Sequence, residues 1–265
     1  MPYFKISKFF LTITVLSVAI VVTSTLFPFI VGKYVWFRTA VAIAAISFLL
    51  GLVFDSRADE VWADFKKIWR QPLVLAVTAF AFFFVLACFF GVSPNQSFWS
   101  SFERGEGGFQ ILNLWLFFVL LITLFRGEKD WQRIFFWSLI GAFLMVSYGV
   151  AAGLKYVDQE KTVQVVNGVS QYSLANNGGF LFNSFRNFIG PSWSEPNYRF
   201  NGSIGNSAYT AAYLIFIMFY AGYLLISKYR ERLRSFGAIR LMAVIAFFGL
   251  FFLLAATRGA FLGLI

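Results

Sequence analysis

The chain has 265 residues, of which 59% are hydrophobic and 13% charged, and its formal net charge is +10. A soluble domain carries about 25% charged residues, so this chain has too little polar surface for a water-soluble globule and we expect an integral membrane protein. With no histidine and a single cysteine, the sequence lacks the commonest general base, the commonest metal ligand and any intrachain disulfide.

Seven apolar stretches are long enough to cross a bilayer. A hydrocarbon core about 30 Å thick needs about 20 apolar residues in a helix. The sequence therefore predicts an all-α fold: one polytopic bundle of transmembrane helices over residues 1–265, with an eighth helix that begins at Gly259 and is cut off. The seven complete spans are predicted at Phe9–Val31, Trp36–Phe54, Pro72–Val92, Gly107–Phe125, Ile134–Leu154, Ser203–Ser227 and Leu241–Thr257.

Residues 55–71, which follow the second span, predict a short cytoplasmic helix in the membrane interface. The segment "DSRADEVWADFKKIWRQ" has acidic residues before basic ones, the order that the helix dipole favours. Tryptophans on one face are typical of a helix at the level of the lipid headgroups. Its apolar face consists of Val61, Trp62, Phe65, Ile68 and Trp69.

The one sizeable polar segment is an extracytoplasmic loop at residues 155–200. Within it, "KTVQVVNGVSQY" alternates apolar and polar residues around Asn167-Gly168, a pair that favours the tight turn of a β-hairpin. We therefore expect a hairpin in this loop, which is too short to form an independent catalytic domain.

The basic residues fall unevenly on the two sides of the predicted bundle. With a cytoplasmic N-terminus, 14 of the 22 lysines and arginines lie in cytoplasmic segments, as the positive-inside rule requires. These basic clusters are short and adjacent to the spans, so the positive net charge reflects the membrane topology. We therefore do not expect nucleic acid as a partner. The 14 residues are Lys5, Lys8, Arg57, Lys66, Lys67, Arg70, Arg126, Lys129, Arg133, Lys228, Arg230, Arg232, Arg234 and Arg240.

In this topology, polar and glycine-rich residues of four separate segments lie on the outer side of the membrane. Arg258 interrupts "LLAATRGAFLGLI" at the boundary of the seventh span, where a charge can reach water or an anion. Glycine-rich backbone before a helix exposes amides that suit an anion. The predicted ligand is a lipid-linked phosphate or diphosphate. The candidate residues are Lys33, Arg38, Arg199, Gly205, Asn206 and Arg258, with Glu103 and Arg104 in the second outer loop.

Each of these features also has a purely structural interpretation. An arginine at the end of a span can extend to the headgroups without binding a substrate. A Gly-x-x-Gly-Asn sequence is a common turn, and a surface Glu-Arg pair contributes little to stability. The functional interpretation depends on their convergence on one face of the membrane.

Four ordered motifs resemble those of the O-antigen ligase-like family of membrane proteins. "RFNGSIGNSAYTAAYLIF" is similar to R-x-x-G-x-x-G-N-P-x-x-x-A-x-Y-L, and "AATRGAFLGLI" resembles the family's [TS]-R-G-A-x-L-G-L signature. "PFIVGKYVWFR" and "SFWSSFERGEG" resemble P-F-x-x-G-K-x-x-x-F-R and S-F-W-x-x-x-E-R-x-E-G of bacterial members. The motifs extend from Pro28 to Leu264 and so cover nearly the whole chain.

The chain departs from the family pattern in three respects. Ser207 replaces a usual proline, Gly105 replaces a common methionine, and the chain has no histidine. Family members have more membrane helices and a large outer loop that carries an essential histidine and a second arginine. The resemblance therefore implies that this chain is the N-terminal portion of a longer protein and is inactive by itself.

The resemblance implies a membrane glycosyltransferase in the synthesis of lipopolysaccharide or another cell-surface polysaccharide. Such an enzyme transfers a glycan from a polyprenyl-diphosphate carrier to an acceptor on the outer face of the bacterial plasma membrane, without metal or cofactor. In this interpretation Arg258 is the catalytic residue that holds the diphosphate. The expected carrier-binding residues beside it are Arg199, Arg38, Lys33, Gly205 and Asn206, while Glu103 and Arg104 shape the loop.

A transporter that flips lipid-linked glycans is the alternative. It predicts broken helices in pairs and ionisable residues near the bilayer centre. No complete predicted span carries a charge away from its ends, which favours the transferase. The acceptor (lipid, protein or another glycan) stays open, and with it the choice between ligase, polymerase and protein O-glycosyltransferase.

Overall fold

The computed structural model describes residues 3–25, 27–101, 105–159, 161–166, 169–174, 199–230 and 232–263. Residues 1–138 and 139–265 form two compact units. The first unit contains α1 (Tyr3–Ile13), a 3₁₀ helix (Thr14–Ala19), α2 (Val31–Phe54), α3 (Ala58–Ile68), α4 (Pro72–Phe90), α5 (Pro94–Trp99) and α6 (Gly108–Leu124). Helix α7 (Glu128–Gln159) is followed by β1 (Lys161–Val166), β2 (Val169–Leu174), α8 (Ser207–Tyr229), α9 (Phe236–Leu254) and α10 (Arg258–Leu262).

Five helices among the described residues are long and apolar enough to cross a membrane. Helix α6 is equally apolar but has only 17 residues. The prediction of a helical, multi-pass membrane protein is thus confirmed, whereas the count of seven complete spans is not. The five are α2, the Glu128–Ala151 part of α7, and all of α4, α8 and α9.

The first predicted span, Phe9–Val31, is not one helix. Helix α1 ends at Ile13, a 3₁₀ helix follows to Ala19, and the chain then turns before α2 begins at Val31. This stretch is rich in β-branched residues, which restrict side-chain rotamers in a helix. The Thr14 hydroxyl also donates to the Leu11 carbonyl at 2.7 Å, an alternative to regular helix bonding.

This first segment nevertheless lies antiparallel along α2. The Ser7 hydroxyl donates to the Ala44 carbonyl at 2.8 Å, and the Trp36 indole donates to the Ile13 carbonyl at 3.1 Å. Further along, the Lys33 ammonium donates to the Ile20 carbonyl at 2.6 Å. The segment therefore accompanies α2 from its middle to its N-terminal end.

Helices α4 and α6 form a second antiparallel pair in the first unit. The Trp115 indole donates to the Thr78 hydroxyl at 3.0 Å. Ile68 at the end of α3 packs in one buried cluster with Val74 of α4 and Val119 of α6. Helix α3, within the predicted interfacial segment 55–71, thus packs against α4 and α6.

Strands β1 (Lys161–Val166) and β2 (Val169–Leu174) form a two-stranded antiparallel sheet. Lys161 lies opposite Leu174, and Val166 lies opposite Val169. The predicted turn residues Asn167 and Gly168 lie outside the described residues, as do residues 175–198 of the predicted outer loop.

Asp55, between α2 and α3, gives a prediction about stability and pH. Its carboxylate accepts the Arg57 backbone amide at 3.1 Å, and this hydrogen bond is the main reason that its pKa lies below the usual value. A folded-state pKa below the unfolded value stabilises the fold above the unfolded pKa, and this stabilisation disappears as the pH falls through the folded pKa. We expect Asp55→Asn to lower the melting temperature at neutral pH and to have no effect once Asp55 is protonated, as measured by thermal unfolding across an acid pH series.

Candidate functional site

Arg258 begins the short helix α10, directly after α9 ends at Leu254. The side chain of Arg258 is exposed. Ala256 in the connection has a φ of 48°, a left-handed backbone that turns the chain sharply between the two helices. The sequence places this arginine at the boundary of an apolar helix, and the structure puts it at the first residue of the next helix.

The segment that carries Arg199 is fixed to the same end of α9. The Phe200 backbone amide donates to the Leu254 carbonyl at 3.1 Å. The Phe200 ring is fully buried, and its centroid lies 4.8 Å from that of Phe251. These contacts bring together the segments that carry Arg199 and Arg258, which are far apart in sequence. Arg199 itself is exposed.

The turn after Phe200 depends on two glycines with left-handed backbones. Gly202 has a φ of 54° and Gly205 a φ of 79°, a region that L-residues with a Cβ rarely adopt. A Cβ on Gly202 would overlap the Met145 sulfur of α7, and one on Gly149 would lie 2.7 Å from the Gly202 Cα. The turn therefore packs tightly against α7 within the second unit.

Asn206 caps helix α8. Its side-chain oxygen accepts the backbone amides of Ala208 at 2.9 Å and Tyr209 at 3.3 Å. These are the amides that a bound anion would need at this helix end, so the structure favours a capping role for Asn206. Gly205 and Asn206 shape the turn that follows Arg199.

Arg38 belongs to a different cluster, in the first unit. Its Nε donates to the Gln110 side-chain oxygen at 2.8 Å, and a terminal nitrogen donates to the Gly105 carbonyl at 2.5 Å. The guanidinium carbon lies 5.3 Å from the Tyr34 ring centroid and 5.0 Å from that of Phe109. Arg38 thus joins the backbone of the loop between α5 and α6 to α2 and α6.

Tyr34 and Gln110 of this cluster were not predicted from the sequence. The Tyr34 hydroxyl lies 3.0 Å from a carboxylate oxygen of Glu106 and donates to it. Gln110 is buried beneath Arg38. The predicted loop-shaping residues Glu103 and Arg104 lie outside the described residues, next to Gly105. Lys33, at the start of α2, uses its ammonium group to hold the Ile20 carbonyl.

The described residues contain no group of three or more carboxylate or cysteine side chains that could hold a metal ion. No protein-family model, curated protein or solved structure matches the chain significantly. The resemblance to O-antigen ligase-like proteins therefore depends on the four sequence motifs. In the first unit, Arg38 and Tyr34 of "PFIVGKYVWFR" bond to Gly105 and Glu106 of "SFWSSFERGEG". In the second unit, Phe200 bonds to Leu254, which directly precedes "AATRGAFLGLI".

Proposed function

We propose that the protein is a membrane glycosyltransferase of the O-antigen ligase type. In that reaction a glycan passes from a polyprenyl-diphosphate carrier to an acceptor on the outer face of the bacterial plasma membrane, and the step that we assign to this chain is binding and release of the carrier. The observation that carries this proposal is the hydrogen bond between Phe200 and Leu254. This bond joins "RFNGSIGNSAYTAAYLIF" to the residue directly before "AATRGAFLGLI", so that the segments of two exposed arginines, Arg199 and Arg258, adjoin in the second unit.

The proposed site acts on the leaving group of the reaction. The bond from the anomeric carbon of the glycan to the diphosphate oxygen breaks, and the acceptor hydroxyl oxygen forms the new bond with inversion. The proton of that hydroxyl passes to a base, and polyprenyl diphosphate leaves with the electron pair of the broken bond. Arginine suits this leaving group because its planar fork donates two hydrogen bonds to phosphate oxygens.

The residues assigned to the carrier are fewer than the sequence predicted. Arg258 and Arg199 remain, because their side chains are exposed and their segments adjoin. Arg38 and Lys33 hold backbone carbonyls in the first unit, so we assign them to the shape of the outer loops. The family's base is a histidine, and this sequence contains none, so the proposal for these residues covers binding and release of the carrier.

The break in the first segment favours a second candidate, a flippase for lipid-linked glycans. Transporters often bind substrate at interrupted helices, and the Lys33 ammonium holds the Ile20 carbonyl beyond such an interruption. Proteoliposomes with a fluorescent lipid-linked glycan separate the two functions. A flippase moves the intact lipid between leaflets, whereas a transferase consumes it only when an acceptor is present.

The proposed topology has a cytoplasmic N-terminus. Ion pairs in the first unit join segments assigned to the cytoplasmic side: Lys8 with Asp130 at 2.6 Å, and Arg126 with Glu60 at 3.6 Å. The hydrogen bond from Tyr34 to Glu106 joins two segments assigned to the outer side. These contacts support the grouping of the segments, and labelling experiments can determine which group faces the cytoplasm.

We expect cysteines introduced at Glu103 and Ser170 to react with a membrane-impermeant maleimide in intact cells. Lys129→Cys should react only after the cells are lysed. The background is low because Cys88 is the sole native cysteine and is buried. Labelling of Lys129→Cys alone in intact cells would place Arg258 on the cytoplasmic side and contradict the proposed function.

A further inference from the structure

The connection between α8 and α9 concentrates positive charge on an exposed surface. The sequence from 228 to 240 contains five basic residues, all exposed, and one acidic residue, Glu231, which lies outside the described residues. Among the described residues, no carboxylate forms an ion pair with these five side chains. We call them the 228–240 cationic surface; they are Lys228, Arg230, Arg232, Arg234 and Arg240.

The backbone of this connection forms an ordered turn. The Arg232 amide donates to the Tyr229 carbonyl at 2.9 Å, and the Ser235 amide donates to the Arg232 carbonyl at 2.9 Å. The Ser235 hydroxyl then accepts the Ala238 amide at 3.3 Å and caps α9. The turn therefore holds the basic residues between the C-terminal end of α8 and the N-terminal end of α9. Both helices are long enough to cross a membrane.

Two apolar side chains are exposed among the cations. Leu233 is 50% exposed and Phe236 is 74% exposed. The Arg240 guanidinium carbon lies 4.9 Å from the Phe236 ring centroid. Cations interleaved with exposed apolar side chains match the boundary between phosphate headgroups and acyl chains.

Helix dipoles account for only part of this charge. Lys228 and Arg230 lie at the C-terminal end of α8, where cations are favoured. Arg232 and Arg234 precede α9 and Arg240 follows its start, where cations are disfavoured, and the first turn of α9 contains no acidic residue. A negative charge from outside the chain would offset this arrangement.

We propose that the 228–240 cationic surface binds the phosphates of anionic phospholipid headgroups, with Leu233 and Phe236 inserted at the acyl-chain boundary. Basic residues next to a span attract anionic lipid through charge. The surface lies at the ends of α8 and α9, both long enough to cross a membrane, so the headgroup layer is the anionic surface nearest to it. This binding is independent of the proposed glycosyl transfer.

The test is lipid binding to the purified protein in neutral detergent, measured by native mass spectrometry with phosphatidylglycerol and phosphatidylcholine. We expect saturable binding of phosphatidylglycerol and weaker binding of phosphatidylcholine. The variant Arg232→Gln/Arg234→Gln/Arg240→Gln should weaken phosphatidylglycerol binding by about tenfold or more, because each basic residue near the surface contributes to the attraction. The corresponding triple Arg→Lys variant should bind as the wild type does, because it keeps the charge.

The matched control is Lys66→Gln/Lys67→Gln/Arg70→Gln, which removes the same charge from a segment that also contains acidic residues. We expect it to change the affinity by less than about twofold. Three results would overturn the proposal: equal binding of the two lipids, unchanged affinity in the Gln variant, or equal losses in the two Gln variants.

Discussion

Replacement of Arg258 by lysine in the native protein, expressed from its own gene, should reduce glycan transfer by at least about tenfold at unchanged protein level. Lysine keeps the charge but loses the planar fork that donates two hydrogen bonds to phosphate. Removal of one preorganised donor typically costs about 2.7–4 kcal/mol, or roughly 100- to 1000-fold in rate. Arg258→Ala should reduce transfer further. The measurement is incorporation of labelled glycan into acceptor in isolated membranes.

The matched control is Arg133→Lys, at an exposed position in a segment assigned to the cytoplasmic side. It makes the same chemical change away from the proposed site and should leave transfer at the wild-type rate. If Arg258 only extends to the headgroups, lysine serves equally well, because both side chains reach that depth with a positive charge. Wild-type transfer by Arg258→Lys would therefore remove Arg258 from the site and leave Arg199 as its remaining candidate.

Gly202→Ala should destabilise the second unit strongly. The left-handed φ of 54° costs an L-residue about 1–2 kcal/mol. The new Cβ would also overlap the Met145 sulfur, and overpacking of this kind typically costs about 1–3 kcal/mol. We expect the melting temperature to fall by roughly 5 °C or more, measured on the purified protein in detergent.

Two variants separate the causes of that loss. Gly222→Ala adds a methyl group in α8 where nothing lies within 4 Å, and alanine favours a helix over glycine, so stability should stay the same or rise slightly. In a Met145→Ala background, Gly202→Ala should lower the melting temperature by less than it does in the wild type. The overlap with the Met145 sulfur is then gone, and only the backbone strain remains. A wild-type melting temperature for Gly202→Ala would show that the turn tolerates a side chain and that its packing on α7 is loose.

Most of the helices could be predicted from the lengths of the apolar stretches in the sequence. Pro72 sets the start of α4, because proline suits the first turn of a helix and has no amide to satisfy there. The predicted span Ser203–Ser227 corresponds to α8 at Ser207–Tyr229, with its start shifted by the cap at Asn206. That shift could have been predicted, because asparagine is among the preferred N-cap residues.

The interruption of the first span could not be predicted from hydropathy. Thr12 and Thr14 are compatible with an apolar stretch, but their hydroxyls bond to the carbonyls of Lys8 and Leu11. Hydropathy measures transfer to lipid and contains no information on such local hydrogen bonds. The 3₁₀ helix after Ile13 therefore appears only in the three-dimensional structure.

The candidate site also has a part that the sequence predicted and a part that only the structure shows. The sequence identified Arg199 and Arg258 through short motifs, and the contact from Phe200 to Leu254 joins their segments. The role of Arg38 depends on Gln110 and Gly105, which are 72 and 67 positions away in the sequence. Long-range partners of this kind do not follow from local pattern, so the contacts that Arg38 makes with Gln110 and Gly105 could not be predicted from the sequence.

The most direct test of the central claim is the affinity of the purified 265-residue protein for a polyprenyl diphosphate, measured in detergent with excess anionic phospholipid present. Our account predicts saturable binding that Arg258→Ala and Arg199→Ala each weaken by roughly tenfold, since hydrogen bonds to charged groups contribute about 1.5–3 kcal/mol. The double variant should lose less than the product of the two effects, because both arginines serve one ligand. Equal affinity in the wild type and in all three variants would contradict a carrier site at these arginines.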